Sequence, residues 1–388
     1  MNNSIKLFFC GDFCSKPSTE PIAVSEELKQ LIASCDFKVC NFEVPLKPDN
    51  VAPRAGCFYQ NDDAPGFLED LGFNLFSFAN NHAFDYGLEG WKKTMASFRH
   101  SPFGSGKYED AYKVKVVEKD GIKVGFLPLC YAARWGVFDN YTDKNSYACA
   151  WVNDLKVNHV IIDAKKEVDF LFVLPHDGIE YINLPLPETI ARYRDFIDYG
   201  ADAVIGSHPH CPQGWEDYKG KPIFYSLGNF LFNSKDDYSY RATDRPHWYD
   251  GRCVVVEIDV DSKTLHYNVI NTQNEGNLAI TIDKSSEASQ YNQLICSYLA
   301  DDELYHKTLV KTLTPIASGE CNLVSNAFYY STAKQFLKNI IKLIATQLNK
   351  QKREEANTKL ERLMKDDTRR ASVLSMIQEK TNVFSYDC

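Results

Sequence analysis

The chain has 388 residues, 44% hydrophobic and 24% charged, an ordinary globular balance that excludes a mainly disordered, collagen-like or coiled-coil protein. Lysine and arginine number 43 against 52 aspartate and glutamate, a net charge of −9, so no global field attracts nucleic acid or an anionic membrane. The length predicts one large domain with an appendage.

At the amino terminus only Ile5, Leu7, Phe8 and Phe9 surround Lys6 before Gly11-Asp12, a run shorter than the apolar core of a secretory signal. Nowhere do about eighteen apolar residues run together, so no membrane span is expected and the reading is a cytoplasmic protein. The twelve cysteines show neither a CxxC pair nor zinc-ribbon spacing, which predicts reduced, buried thiols.

Through residue 283, β-branched or aromatic runs alternate with helical patterns. Ile5–Cys10 leads into Gly11-Asp12, Phe37–Asn41 into Glu43, and Asn74–Ala79 into Asn80-Asn81-His82. Leu88, Trp91, Met95 and Phe98 share one helical face and are expected to be core. Tyr112–Lys119 and Ile122–Leu129 flank Asp120-Gly121, a turn pair that predicts a hairpin. Asp169–Pro175 leads into His176, Tyr193, Phe196 and Ile197 mark a helix stopped by Gly200, and Ala201–Ile205 leads into Gly206-Ser207-His208-Pro209-His210. With further strands expected at Ile223–Leu227, Cys253–Val260 and Leu265–Ile270, two packed mixed sheets covered by helices fit better than one doubly wound sheet. From residue 284 glycine becomes scarce. Phe336, Leu337, Ile340, Ile341, Ile344 and Leu348 form a helical stripe, followed by mixed charges over Lys350–Arg370. The expected division is a domain over 1–283 and a helical region over 284–388, the latter a place for a protein partner.

Taken singly, a buried histidine is more often a satisfied core residue than a ligand. Here, however, Asp12, Glu43, Asn81, His82, His176, His208 and His210 all follow separate strand-like runs, so one sheet edge brings all seven together. None of the other five of the nine histidines follows such a run. Imidazole and carboxylate together suit zinc, iron or manganese.

In order and spacing, Gly11-Asp12, Asn41-Phe42-Glu43, Ala79 to Gly87, His176 to Tyr181, Gly206 to His210 and Tyr225 to Phe230 resemble the CapA family, named for capsule and poly-gamma-glutamate biosynthesis, of the calcineurin-like metallophosphoesterase superfamily. The resemblance implies an α/β fold, a four-layer αββα sandwich of two mixed sheets, and two divalent metals (manganese, iron or zinc) held by Asp12, Glu43, Asn81, His176, His208 and His210. It implies that Glu43 stands where the superfamily places a bridging aspartate, and that His82 is a catalytic acid that binds no metal. Cys14 replaces a superfamily histidine and is read as structural rather than as a ligand. Asp85, three residues after His82, is read either as orienting that imidazole or as a turn cap before Tyr86-Gly87. Glu180 is read as substrate-facing or as a support to the ligands, and Arg54, Arg134 and Arg241 are candidate contacts for an anionic substrate.

Three functions follow. The first is a metal-dependent hydrolase of an amide bond in a gamma-glutamyl or cell-envelope polymer or a related small molecule. The second is a metal-dependent phosphoesterase, and the third a non-catalytic polymer-handling protein of capsule biosynthesis.

Overall fold

The computed structural model describes residues 4–15, 21–54, 56–132, 136–140, 142–233, 247–275 and 279–313. The chain runs through β1 (Ser4–Ser15), β2 (Ala23–Val24), α1 (Glu26–Ala33), β3 (Phe37–Phe42), α2 (Ala64–Asp70), β4 (Leu75–Ser77), α3 (Gly87–Ala96) and β5 (Ser105–Gly106). Next come α4 (Tyr108–Ala111), β6 (Lys115–Lys119), β7 (Ile122–Cys130), β8 (Ala148–Cys149), α5 (Leu155–Ala164), β9 (Phe170–His176), α6 (Pro187–Tyr199) and β10 (Ala203–Ile205). It closes with β11 (Trp215–Tyr218), β12 (Lys221–Phe224), β13 (Asn229–Asn233), β14 (Asp250–Asp259), β15 (Thr264–Glu275), β16 (Ala279–Ile282) and α7 (Ser286–Ala300).

Two mixed sheets carry the fold. The first has the order β2-β16-β15-β14-β1-β3-β4, with β13 paired to β1, and the second the order β11-β12-β10-β9-β7-β6. One core joins them: Leu7, Phe9, Val39 and Val254 of the first meet Val124, Phe126, Phe172 and Ile205 of the second. Phe9 stands 5.1 Å from Phe172, ring centre to ring centre. On the opposite face of the first sheet, Phe67 of α2 stacks on Phe13 at 6.0 Å. In the second sheet, α6 packs over β10 and β12. The α/β class and the pair of mixed sheets expected from the sequence are therefore present.

The hairpin forms as expected, with Asp120 (φ 51°) and Gly121 (φ 76°) between β6 and β7, and α6 ends at Gly200 with φ 124°. Two expectations need correction. β1 does not stop at Cys10, because β13 pairs in parallel with its second half and supplies backbone partners as far as Ser15. Asp12 thus lies inside a strand, at an irregularity in the register with β3. The apolar stripe of α3 is also only partly packed: Phe98 is buried and Trp91 and Met95 half-buried, but Leu88 is exposed, and within the helix Gly90 and Thr94 are the buried positions. A Cβ on Gly90 would stand 2.6 Å from the Tyr86 Cβ, and the Leu46 amide donates to Thr94 Oγ1 at 2.8 Å. The helix thus docks partly on backbone, while its Trp91 ring packs on Phe84 and Tyr147.

The described chain divides into compact units at Ala300, and α7 falls in the first of them. Its Tyr291 hydroxyl donates to the Pro212 carbonyl at 3.2 Å. The stripe from Phe336 to Leu348 and the charges of 350–370 lie outside the described residues. No described helix is long and apolar enough to cross a membrane. Cys10, Cys149, Cys211 and Cys253 are buried thiols, and burial pushes their pKa values up, to about 12 for Cys149.

Gly11 lies tight against the residue before β13: a Cβ there would stand 1.8 Å from the Gly228 carbonyl oxygen, which also accepts from the Asp12 amide at 3.0 Å. Gly11→Ala should cost more than ~4 kcal/mol, whereas Gly66→Ala, where a Cβ meets nothing, should be neutral or gain up to ~1 kcal/mol. Urea unfolding of both variants checks this. Truncation after Ala300 should preserve the unfolding midpoint of the first unit, and truncation after Asp283, which removes α7 from Pro212, should lower it.

Candidate metal centre

Glu43 follows β3 and is fully buried, with neither carboxylate oxygen hydrogen-bonded. Its backbone is fixed: its amide donates to the Phe13 carbonyl at 3.0 Å, and its carbonyl accepts from Gln60 Nε2 at 2.6 Å. Oε1 lies 3.8 Å from His176 Nε2 and 3.6 Å from His210 Nε2. Burial, and then the charges of Asp12, Glu180 and Asp85, push the Glu43 carboxyl well above the usual range.

Asp12, also fully buried, is held on both oxygens. Asn41 Nδ2 donates to Oδ1 at 2.7 Å and the His208 amide donates to Oδ2 at 3.0 Å. Burial opposes its charge, but His176, His210 and Asn41 outweigh it and hold the carboxyl below its ordinary value. His176 ends β9. Its Nδ1 edge meets Asn41 and Ser207, both at 3.1 Å, while its Nε2 edge meets Asn81 Oδ1 at 2.9 Å and His208 Nδ1 at 3.2 Å. His210 Nδ1 meets Asn229 Oδ1 at 2.9 Å.

His208 and His210 have φ values of 100° and 55°, left-handed backbone that costs roughly 1–3 kcal/mol per residue and persists only where the surroundings impose it. Asp12 is one such restraint, through the His208 amide. Burial pushes both imidazoles down, His208 well below its usual value, so they are neutral near pH 7 and suited to ligation.

The structure brings the sequence-derived residues together in overlapping groups. Asp12, Glu43 and His210 form one, and Glu43, His176 and His208 a second, with donor atoms in each within 4.8 Å of one another. Asn81 joins the second through His176. Glu43 is common to both. A buried carboxylate with unsatisfied oxygens, set among imidazole nitrogens and a second carboxylate, fits a divalent cation.

His82 stands beside this set. Its Nδ1 meets Asp85 Oδ2 at 2.9 Å, its ring lies edge-on to Phe58 at 5.0 Å, and its side chain is 17% exposed. Asp85 also accepts from the Phe58 amide at 2.7 Å, so it is fixed from two sides. Cys14 sits in an apolar cluster with Val44, Phe232 and Trp248, outside every ligand group. Arg54 is exposed, with its guanidinium 5.8 Å from the Tyr86 ring centre. Arg134 and Arg241 lie outside the described residues. Asn41 and Ser207, to which sequence reasoning gave no role, brace Asp12 and His176. Their only signal was their place within polar clusters at strand ends.

Residues 6–234, more than half of the chain, match the family described as bacterial capsule synthesis protein PGA_cap, and the chain belongs to that family. It is 31% identical over 219 residues to the PGA biosynthesis protein CapA of Bacillus subtilis, covering 54% of this chain and 57% of that one. It is 33% identical over 220 residues to the capsule biosynthesis protein CapA of Bacillus anthracis, covering 54% of each. The chain spans little more than half the length of these relatives. A 5'-nucleotidase from Candida albicans is similar in structure, with a TM-score of 0.40 and 11% identity over 77% of this chain and 58% of that one.

The raised Glu43 pKa has a signed consequence. Between the unfolded value of about 4.3 and the higher folded one, the folded chain holds the extra proton, so without a cation Glu43 makes stability fall as pH rises through that window. Glu43→Gln should therefore make chelator-treated protein more stable than wild type at pH 8, by about 1–3 kcal/mol, with the difference shrinking toward pH 4. Excess manganese should reverse the order, stabilising the wild type alone. Thermal unfolding across pH, with and without the metal, checks both.

Proposed function

We propose that this member of the capsule synthesis family is a metal-dependent hydrolase that cleaves an amide bond of a gamma-glutamyl or related envelope polymer. The observation that carries the reading is the buried Glu43 carboxylate, unsatisfied on both oxygens and shared by two groups of imidazole and carboxylate donors. Asp12, Glu43 and His210 would hold one divalent cation, and Glu43, Asn81, His176 and His208 a second. Cations held there supply Lewis acidity, polarising the attacked carbonyl and making water a stronger nucleophile near neutral pH.

The chain's own residues supply the rest. Asp85 takes the Nδ1 proton of His82 as a hydrogen bond, which fixes the tautomer and reserves Nε2 for proton exchange. A leaving amide nitrogen must acquire a proton before it departs, and a partly exposed imidazole oriented by a buried carboxylate can deliver one. His176, His208 and His210 are too enclosed for that task. The poly-gamma-glutamate association of the relatives supports the amide over a phosphoester. So does the uneven make-up of the two donor groups, since phosphoryl transfer gains most from a symmetric clamp.

The test uses manganese-loaded protein with gamma-glutamyl oligomers and a generic phosphodiester as alternative substrates. Wild type should cleave the oligomer and leave the phosphodiester nearly untouched. His82→Ala should keep its metal while losing about 10²- to 10⁴-fold in turnover, whereas His208→Ala and His210→Ala should each lower metal content by elemental analysis. Efficient phosphodiester cleavage that His82→Ala abolishes would replace the amide with a phosphoester. Unchanged metal content in both of the other variants would remove the site.

A further inference from the structure

Asp12, Glu43 and His210 form a group in which Cys14, two residues after Asp12 on β1, takes no part. The Cys14 side chain is fully buried among Val44, Phe232 and Trp248, and it joins no group of candidate ligands. That position therefore has three donors where the chemistry calls for at least four.

Another loop brings a carboxylate to His208 and His210. Glu180 groups with His208 and His210, its donor oxygen within 4.8 Å of theirs. It is half-buried, close enough for its charge to raise the Glu43 pKa and to oppose the lowering at His210. The backbone holds it there. After β9 the Asp177 amide donates to the Ser207 carbonyl at 3.0 Å and the Tyr181 amide to the Pro209 carbonyl at 2.7 Å, so residues 177–181 are tied along the His208-Pro209-His210 segment. The turn that permits this runs through Gly178 at φ 119°, where a Cβ would stand 3.0 Å from Pro209 Cγ. Tyr181, itself at φ 67°, lays its ring 6.1 Å from that of His210.

We propose that Glu180 is a cation ligand, completing with Asp12, Glu43 and His210 the position that Cys14 leaves short of a donor. The inference rests on the metal-centre reading above and gives Glu180 a different role from substrate contact. The position so completed has three carboxylates and one imidazole, a hard, oxygen-rich set suited to manganese or magnesium more than to zinc. The position of Glu43, Asn81, His176 and His208 keeps two imidazoles and suits zinc or iron.

The test is equilibrium binding of manganese alone to the full chain, read by calorimetry and by the electron paramagnetic resonance of bound Mn²⁺, with no substrate present. Wild type should bind two ions. Glu180→Gln, which preserves size, should weaken one of the two by at least about tenfold and leave the other unchanged. Glu180→Asp should recover part of the loss, which a merely structural role would not produce. Cys14→Ala should bind as wild type does, and cobalt-loaded wild type should show no thiolate-to-cobalt charge-transfer absorption. Two unaltered sites in Glu180→Gln, while His210→Ala loses one, would overturn the Glu180 assignment alone. A wild-type chain that binds no ion would overturn the metal centre as a whole, and the Glu180 assignment with it.

Discussion

One buried carboxylate imposes the order of everything around it. Glu43 is fully buried and has no donor on either oxygen among the described residues, a condition that costs folding free energy unless a cation or a proton answers it. The chain does not relieve this by letting the residue turn outward. Gln60 bridges the two strands that end beside it, donating from Nε2 to the carbonyls of Phe13 and Glu43 and accepting from the Ser15 amide at Oε1. The following residue, Val44, is held at φ 81°. A strained, β-branched residue directly after an unsatisfied acid is the pattern expected where stability is given up to keep a ligand in place.

The strain recurs on the facing side. His208 and His210 both adopt left-handed backbone, and their segment is held from three directions: Asp12 takes the His208 amide, Asn229 meets the His210 ring, and the loop after β9 lies along Pro209. Beneath them, Gly206 approaches the Tyr225 carbonyl so closely that a Cβ would stand 2.2 Å from its oxygen. The aromatic core between the sheets is what makes these restraints rigid. Phe9 lies on the strand that carries Asp12 and Phe172 on the strand that ends at His176, so the contact between these rings fixes the spacing of two donors on different sheets.

What was legible in the sequence follows from the same arrangement. A strand buried on both faces reads as an apolar run, and the polar residue that ends it stands out. Asp12, Glu43, Asn81, His176, His208 and His210 could therefore be picked out together, and the structure does assemble them. The aromatic and β-branched runs also made the two mixed sheets legible. The misses have a common cause: each depends on a partner remote in sequence. β1 extends past Cys10 only because β13, more than two hundred residues away, pairs with it. The α3 stripe misled in part because that helix docks partly through Gly90 and Thr94 onto the backbone of the segment after Glu43, and no apolar periodicity records a backbone contact. Asn41 and Ser207 act through distances to Asp12 and His176 that spacing along the chain does not encode.

With Glu180 assigned as proposed, the two cation positions differ in charge as well as in donor type. Asp12, Glu43 and Glu180 place three negative charges around one, more than a divalent ion neutralises, so an ion there is a weak Lewis acid held tightly. Around the other, Glu43 alone is charged, and Asn81, His176 and His208 are neutral donors that leave most of the ion's charge available. A carbonyl oxygen acquiring negative charge is stabilised more by the second position than by the first. On the proposed reading, polarising the substrate and retaining the metal would fall to different positions, with Glu43 belonging to both. That division suits attack on an amide, where one strongly polarising centre and one proton donor suffice, and it places the chemistry on the side of the site formed by Asn81, His176 and His208, next in the chain to the His82–Asp85 pair.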